Sequence, residues 1–166
     1  QCPTIQVDLN LPKRFGITYT GPDAQAHEVI MLHRALYGSL ERFVGIFIEH
    51  TGGEFPVWAA PLQVMIVPVH AKAFDYAQQT AGMLRAAGVR VEVDARDDKM
   101  GAKIRDAELE KIPYMLVVGP REAEAGTVSP RRKGVGQLEV MTRQAFLERV
   151  QQETRELGTL ARRLVG

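Results

Sequence analysis

Residues 62–69, LQVMIVPV, decide the fold of the C-terminal part of this 166-residue chain. The stretch is apolar at consecutive positions, which is typical of a strand covered on both faces of a parallel sheet. A helical pattern over 74–84 follows it, and Gly88 ends that helix. The sequence therefore predicts an α/β unit that begins at about residue 54.

Further strands and helices follow in the order expected of such a unit. Valines alternate through VRVEV at 89–93, one apolar helical face runs through 97–111, and YMLVVG at 114–119 predicts a second buried strand. Scattered glycines and prolines over 126–141 indicate an irregular hairpin, and Thr142 is the expected N-cap of a last helix. This order predicts a mixed five-stranded sheet with right-handed crossovers and helices on both faces.

The first 53 residues carry a different pattern. In TIQVDL, Ile5 and Val7 alternate with Thr4 and Gln6, which predicts a half-buried strand with one polar face. VIMLH at 29–33 is apolar up to its histidine and predicts a central strand. These features favour a separate N-terminal domain of residues 1–53, followed by a second domain of residues 54–166.

A helix is predicted from Tyr37 until two glycines end it, and apolar residues occupy nearly all of its sides, so we expect it to be buried. Glu41 and Arg42 lie within that helix. Because Glu and Arg are seldom buried without a partner, this pair is either fixed by packing partners or bound to a ligand. The planar guanidinium of Arg42 suits bidentate contact with phosphate.

Composition excludes several classes of protein. The net charge is +1, so any contact with nucleic acid needs a local basic patch such as RRK at 131–133. The lone Cys2 forms no internal disulfide and suits a reducing cytosol. No apolar run is long enough to span a membrane. The chain starts without Met, and we expect it to be a piece of a longer protein.

The stretch HRALYGSLERFVGIFIEH at 33–50 resembles motif 3 of the class II aminoacyl-tRNA synthetases, a strand-to-helix element with a Glu-Arg pair. TIQVDLNLP before it, and APLQV, KIPYMLVVG and GTVSPRRKG after it, follow the order found at the C-terminal end of threonyl-tRNA synthetases of the bacterial type. The resemblance covers nearly the whole chain. It implies a remnant of an antiparallel catalytic sheet with the motif 3 helix over 1–53, and an anticodon-binding domain over 54–166.

The resemblance also implies roles for residues of the N-terminal part. Arg42 corresponds to the motif 3 arginine that contacts the ATP phosphates, Glu41 to a residue that orients it, and Gln1 to a residue near the nucleotide. Two further positions, Thr4 and Gln6, correspond to residues that line the threonine pocket.

His33 corresponds to the last of three protein ligands of a zinc ion, and the other two ligands would lie upstream of this chain. A metal that takes both the amino group and the hydroxyl of threonine rejects valine, which packing alone discriminates poorly.

In the C-terminal part the resemblance implies that four residues contact the anticodon: Asp97, Lys111, Glu122 and Arg131. Anticodon loops are read on splayed base edges by a few polar side chains, which agrees with the near-neutral charge. Asp97 stands where asparagine is common and can only accept hydrogen bonds when ionised. Lys111 stands where arginine is common and lacks the bidentate fork.

The resemblance therefore implies part of a cytoplasmic, homodimeric threonine–tRNA ligase that uses ATP with Mg²⁺, threonine and tRNA(Thr), and whose C-terminal piece is inactive alone. A non-catalytic tRNA- or RNA-binding module, or a dimerisation module, built on the same anticodon-binding domain is the alternative. A flavodoxin-like nucleotide enzyme is disfavoured, because the turn VPVHAKAF at 67–74 has no glycine to cradle a phosphate.

Overall fold

A computed structural model of the chain describes residues 3–155. The chain divides into two compact units, Gln1–His50 (unit 1) and Thr51–Gly166 (unit 2). The strands are β1 (Thr4–Asp8), β2 (Thr18–Thr20), β3 (Ala26–Glu28), β4 (Met31–Ala35), β5 (Val64–Pro68), β6 (Val91–Val93), β7 (Tyr114–Val118), β8 (Thr127–Arg132), β9 (Gly136–Gln137) and β10 (Met141–Thr142). The helices are α1 (Leu11–Arg14), α2 (Leu40–Thr51), α3 (Phe74–Ala86), α4 (Met100–Leu109), α5 (Pro120–Ala125) and α6 (Arg143–Arg155), with a 3-10 turn at Ala71–Ala73.

Unit 1 contains two antiparallel strand pairs. β1 pairs with β4, in a register that sets Thr4 opposite Ala35 and Gln6 opposite His33. β2 pairs with β3 to form a separate small hairpin. The two strands and the helix predicted for this part of the chain therefore all occur.

The burial expected in unit 1 does not occur. Ile5 on β1 and Leu32 on β4 are each 67% exposed, and no residue of α2 is buried. The predictions of a half-buried first strand, a central β4 and a buried helix that encloses Glu41 and Arg42 are wrong for the described part of the chain. The reason is that the described residues of unit 1 supply no second layer over these apolar side chains.

Unit 2 is built on a mixed sheet with strand order β10-β8-β7-β5-β6, and β9 pairs with β8 beside that path. β5 is parallel to both β6 and β7, whereas β8 is antiparallel to β7. The sheet has six strands instead of the five expected, because the irregular hairpin contributes three strands, β8, β9 and β10.

Helices cover both faces of this sheet, as predicted. Side chains of α3 and α6 pack with one face, where Ile66, Leu116 and Phe146 are fully buried. Ala107 of α4 packs with Met115 on the opposite face. Strand β5 is buried over most of its length, as the unbroken apolar pattern of residues 62–69 predicts.

The last helix is joined to the sheet by a buried polar network around Tyr114. The Tyr114 hydroxyl donates to Glu153 Oε1 at 2.5 Å, and Arg132 Nη1 donates to the same oxygen at 2.6 Å. Burial, and then the hydrogen bond with Glu153, raise the pKa of Tyr114 above its ordinary value. Thr142 caps this helix as predicted, since its hydroxyl accepts from Ala145 N at 3.1 Å.

None of the helices in residues 3–155 has both the length and the apolar character that a membrane-spanning helix needs.

Candidate nucleic-acid interface and nucleotide-binding residues

The polar face of β1 and β4 gathers three of the candidate residues. His33 lies directly opposite Gln6 in the strand pair, and their side chains are joined by a hydrogen bond of 3.2 Å between His33 Nδ1 and Gln6 Oε1. Thr4 is two positions from Gln6 on the same strand, so its side chain points to the same face. The structure therefore brings Thr4, Gln6 and His33 together on one surface.

The contact with Gln6 favours one tautomer of the His33 ring. An amide oxygen only accepts hydrogen bonds, so the contact is made by the tautomer in which His33 Nδ1 carries the proton and donates it. In the neutral ring, Nε2 then keeps its lone pair, which is the form that binds metals.

A zinc site cannot be completed from the described residues. Within residues 3–155, no group of three or more His, Cys, Asp or Glu side chains converges as a metal site. Among the described residues, the resemblance assigns one zinc ligand, the ring of His33.

Glu41 and Arg42 lie in the first turn of α2 and are exposed. The Ser39 hydroxyl donates to Glu41 Oε2 at 2.7 Å and accepts from Arg42 N at 3.3 Å. The hydrogen bond from Ser39, and then the backbone N–H of Glu41 itself, lower the pKa of this carboxyl. Ser39 thus orders the turn that presents both side chains. The preference of serine for the N-cap position is the sequence signal that points to this role. Gln1, the third residue assigned to the nucleotide, lies outside the described residues.

Asp97 lies in unit 2, in the turn between β6 and α4, as expected. It lines a pocket of about 660 Å³ at the carboxyl ends of β5 and β6. The Arg96 guanidinium lines this pocket and donates two hydrogen bonds to the buried Asp94 and one of 2.7 Å to Asp106. The hydrogen bonds from Arg96 hold the pKa of Asp94 below its usual range, although burial opposes them.

Glu122 lies in α5, a short helix that the sequence patterns did not reveal. Its Oε2 accepts a hydrogen bond from Gly119 N at 2.9 Å and so caps the helix start. The side chain is half-buried. Part of the carboxylate is therefore committed to local structure at the carboxyl end of β7.

Arg131 lies on β8 with its side chain on the same sheet face as Met115, its partner in the register. Arg131 Nη1 donates to Gln137 Oε1 at 3.3 Å, and Gln137 Nε2 donates to Ser129 Oγ at 2.9 Å. Arg131 Nη2 lies 3.9 Å from Glu108 Oε1 on α4. The buried Nε of Arg131 has no hydrogen-bond partner in the described part of the chain.

Lys111 sits in the turn between α4 and β7 with a left-handed backbone, φ +59°. Left-handed geometry is costly for a residue with a Cβ atom and often marks a functional site. The ammonium group of Lys111 donates to the Gly52 carbonyl. The turn therefore holds this side chain against the start of unit 2.

The four candidate anticodon residues consequently fall into two groups. Asp97 and Glu122 follow the carboxyl ends of parallel strands, whereas Lys111 and Arg131 lie near the amino end of β7 and both adjoin Glu108. Ser129 and Gln137 were missed. Alternation along β8 gives a signal for Ser129, but the pairing of Gln137 with Arg131 depends on a turn register that the sequence does not display.

Comparison with known proteins identifies a family for the part of the chain that contains the four candidate anticodon residues. Residues 63–153 match the family model "Anticodon binding domain". The chain is 56% identical over 156 residues to a threonine–tRNA ligase of Thermus thermophilus, an alignment that covers 94% of this chain and 24% of the relative. It is 50% identical over 153 residues to the threonine–tRNA ligase of Aquifex aeolicus, with 92% and 24% covered.

A solved structure is also similar. The RNA-binding domain of the threonyl-tRNA synthetase from Cryptosporidium parvum superposes with a TM-score of 0.85 at 32% identity, over 92% of this chain and 39% of that one. The chain spans about a quarter of the length of the curated relatives named above.

Proposed function

The chain belongs to the anticodon-binding domain family, and from that premise we propose that unit 2 reads the anticodon loop of tRNA(Thr) within a threonine–tRNA ligase. An anticodon loop presents unstacked bases, which are recognised by a few hydrogen-bonding side chains on a platform. Strand β8 carries one such side chain, Arg131, with Ser129 and Gln137 beside it.

The observation that carries this proposal is the geometry of Arg131. Its guanidinium is oriented by Gln137 on one side and by Glu108 on the other, and its Nε has no partner in residues 3–155. The two terminal nitrogens of this planar, permanently charged fork are suited to a base edge that offers acceptors, whereas Nε is buried. Arg131 is therefore the residue to which we assign base readout, with Glu122, Asp97 and Lys111 as further contacts.

Unit 1 is proposed to be the end of the catalytic domain, which activates threonine with ATP and Mg²⁺. Arg42 would hold phosphate oxygens by bidentate contact, and the ordered turn around Ser39 would present it. Glu41 would orient Arg42, and Gln1 would lie near the nucleotide.

Thr4 and Gln6 would line the threonine pocket, and the unprotonated Nε2 of His33 would supply one zinc ligand. The zinc, when bound, would polarise the amino group and hydroxyl of the substrate. The part played by Gln6 is to hold the His33 ring in the tautomer that can bind a metal.

The intact ligase is proposed to act in the cytoplasm as a homodimer. The chain of residues 1–166 is expected to form no threonyl-adenylate, because it supplies one candidate zinc ligand and one of the arginine-bearing motifs. Threonine-dependent exchange of pyrophosphate into ATP measures this, and exchange above a no-enzyme blank would refute the expectation.

The test of anticodon reading is fluorescence anisotropy with a labelled threonine anticodon stem-loop and a second loop changed at the middle anticodon base. We expect tighter binding of the first loop by about tenfold, ~1.4 kcal/mol, at both low and physiological salt. Equal affinities that fall together with salt would mean phosphate contact without base readout. That result, or no binding, would favour the non-catalytic RNA-binding or dimerisation module instead.

A further inference from the structure

A small basic pocket lies on unit 2 beside the residues assigned to base readout. It has a volume of about 280 Å³ and is lined by residues 54–57, Lys111, Pro113, Arg132 and Lys133. That volume is several times the ~30 Å³ that one water occupies in the liquid, so the pocket can hold a small ligand together with waters. Three of its lining side chains are cationic and one, Glu54, is anionic.

The charges in this pocket are unequally compensated. Arg132 is already paired, since its Nη1 donates to Glu153 Oε1 at 2.6 Å. Lys133 Nζ lies 3.4 Å from Glu54 Oε1, and this carboxylate is largely exposed. Lys111 donates to a backbone carbonyl of Gly52, which carries no charge. The pocket is therefore lined by two ammonium groups and a single carboxylate, which lies beside Lys133.

Both lysines are fixed in place by the backbone. Lys111 has the left-handed conformation described above, and its side chain rests 3.5 Å from the position that a Cβ on Gly53 would take. Lys133 Nζ donates to the Glu108 carbonyl at 3.1 Å, at the end of α4. Ordering two lysine side chains has an entropic cost, so their convergence on one pocket requires an explanation.

Resting on the proposed function above, we propose that this pocket binds a phosphodiester group of the RNA backbone, with Lys111 and Lys133 as the binding cations and Glu54 as the carboxylate that the phosphate displaces. Ammonium groups bind phosphate oxygens as point charges without geometric demand. The pocket and Arg131 both border on Glu108, so a strand whose base contacts Arg131 has a nearby site for a phosphate.

Phosphate contacts carry no sequence information, and this separates the pocket from Arg131 experimentally. Lys133→Gln is expected to weaken binding of both stem-loops described above by about threefold to tenfold, with their affinity ratio unchanged. The slope of log K against log salt should fall in magnitude by about 0.7, the value for one phosphate contact in a single strand.

Glu54→Gln should act in the opposite direction and tighten both loops by about twofold to fivefold, because the competing carboxylate is gone. A misfolded variant cannot bind more tightly, so this arm excludes a trivial loss of structure. The matched control is the exposed ion pair of unit 1, Lys13 Nζ to Glu28 Oε1, which is also 3.4 Å long. Lys13→Gln and Glu28→Gln should leave both affinities within about twofold.

The outcomes separate the two proposals. Base preference by the wild-type chain together with unchanged affinity and salt slope in Lys133→Gln would overturn the pocket and leave anticodon reading intact. Tighter binding by Lys133→Gln or weaker binding by Glu54→Gln would also overturn it. If the wild-type chain binds neither loop, both proposals fail. Competition by inorganic phosphate at constant ionic strength that is lost in Lys133→Gln would show that the pocket takes free phosphate as well.

Discussion

Unit 1 and unit 2 both contain strands with apolar side chains, but these side chains are buried to opposite degrees. In unit 2, the continuous apolar strand β5 is covered on both faces, and Val64, Ile66 and Val67 are fully buried. In unit 1, Ile5 and Leu32 are two-thirds exposed. An apolar pattern therefore predicts that a strand needs a covering layer. It does not show which other residues supply that layer.

The largest effect on stability is expected from replacing one phenylalanine in each unit. Phe146 is fully buried in unit 2, and Phe15 is 73% exposed in unit 1. Phe146→Ala should lower the free energy of unfolding by about 3–5 kcal/mol, through lost burial and the cavity left behind. Phe15→Ala should change it by less than about 0.5 kcal/mol. Urea unfolding followed by far-UV circular dichroism measures both, and similar losses for the two variants would break the comparison.

A smaller effect is expected from the tyrosines. Tyr114 is buried and its hydroxyl contacts Glu153, Arg132 and Arg149, whereas Tyr37 is 60% exposed. Tyr114→Phe should cost about 1–3 kcal/mol, because it removes partly buried hydrogen bonds to charged side chains. Tyr37→Phe should be neutral within about 0.5 kcal/mol. The same urea titrations measure both variants, and equal costs would show that the network around Tyr114 contributes nothing to stability.

The pKa of Tyr114 gives a second readout. Because its folded-state pKa is raised, the folded state keeps this proton when the unfolded state has lost it. The stability contributed by Tyr114 is therefore present below the ordinary tyrosine pKa of about 10 and is lost as pH rises above it. Wild-type stability should fall more steeply above pH ~10 than that of Tyr114→Phe, and parallel profiles would contradict this network.

The smallest effect concerns two carboxyls whose pKa values are both lowered. Asp94 is buried beside Arg96 in unit 2, and Glu41 is exposed beside Ser39 in unit 1. A lowered folded-state pKa gives stability above the unfolded pKa of about 4, and that stability disappears as pH falls through the folded value. Asp94→Asn should flatten the acid limb of the pH–stability profile, whereas Glu41→Gln should flatten it less, because the Glu41 carboxyl is exposed and its interactions are screened by solvent. An acid limb that Asp94→Asn leaves unaltered would show that Arg96 does not stabilise the folded state through this carboxyl.

Much of unit 2 can be predicted from its sequence, because its elements satisfy one another within the chain. The unbroken apolar stretch of β5 and the helical face of α3 identify a covered sheet, and Thr142 marks the last helix. α5 escapes prediction because its six residues lack an apolar stripe. β9 escapes because two residues, Gly136 and Gln137, carry no strand pattern.

The candidate site is less predictable than the fold. Arg131 follows from the family resemblance, but its contacts with Gln137 and Glu108 arise only when β9 and α4 meet β8. His33 and Gln6 become neighbours through the register of β1 and β4. Alternation fixes the face of the sheet on which each residue lies, but a shift of the pairing by two or four residues would keep the same faces. The burial of Glu41 and Arg42 was mispredicted, since periodicity cannot tell whether the covering residues lie in the same chain.

The measurement that most directly tests the central claim is the anisotropy titration with Arg131→Lys beside the wild-type chain. Lysine keeps the charge and loses the planar fork, so overall binding should persist while the preference of about tenfold for the threonine loop falls to within about twofold, a loss of ~1 kcal/mol. Arg105→Lys, an exposed arginine of α4, is the matched control and should retain the preference. An undiminished preference in Arg131→Lys would contradict base readout by Arg131.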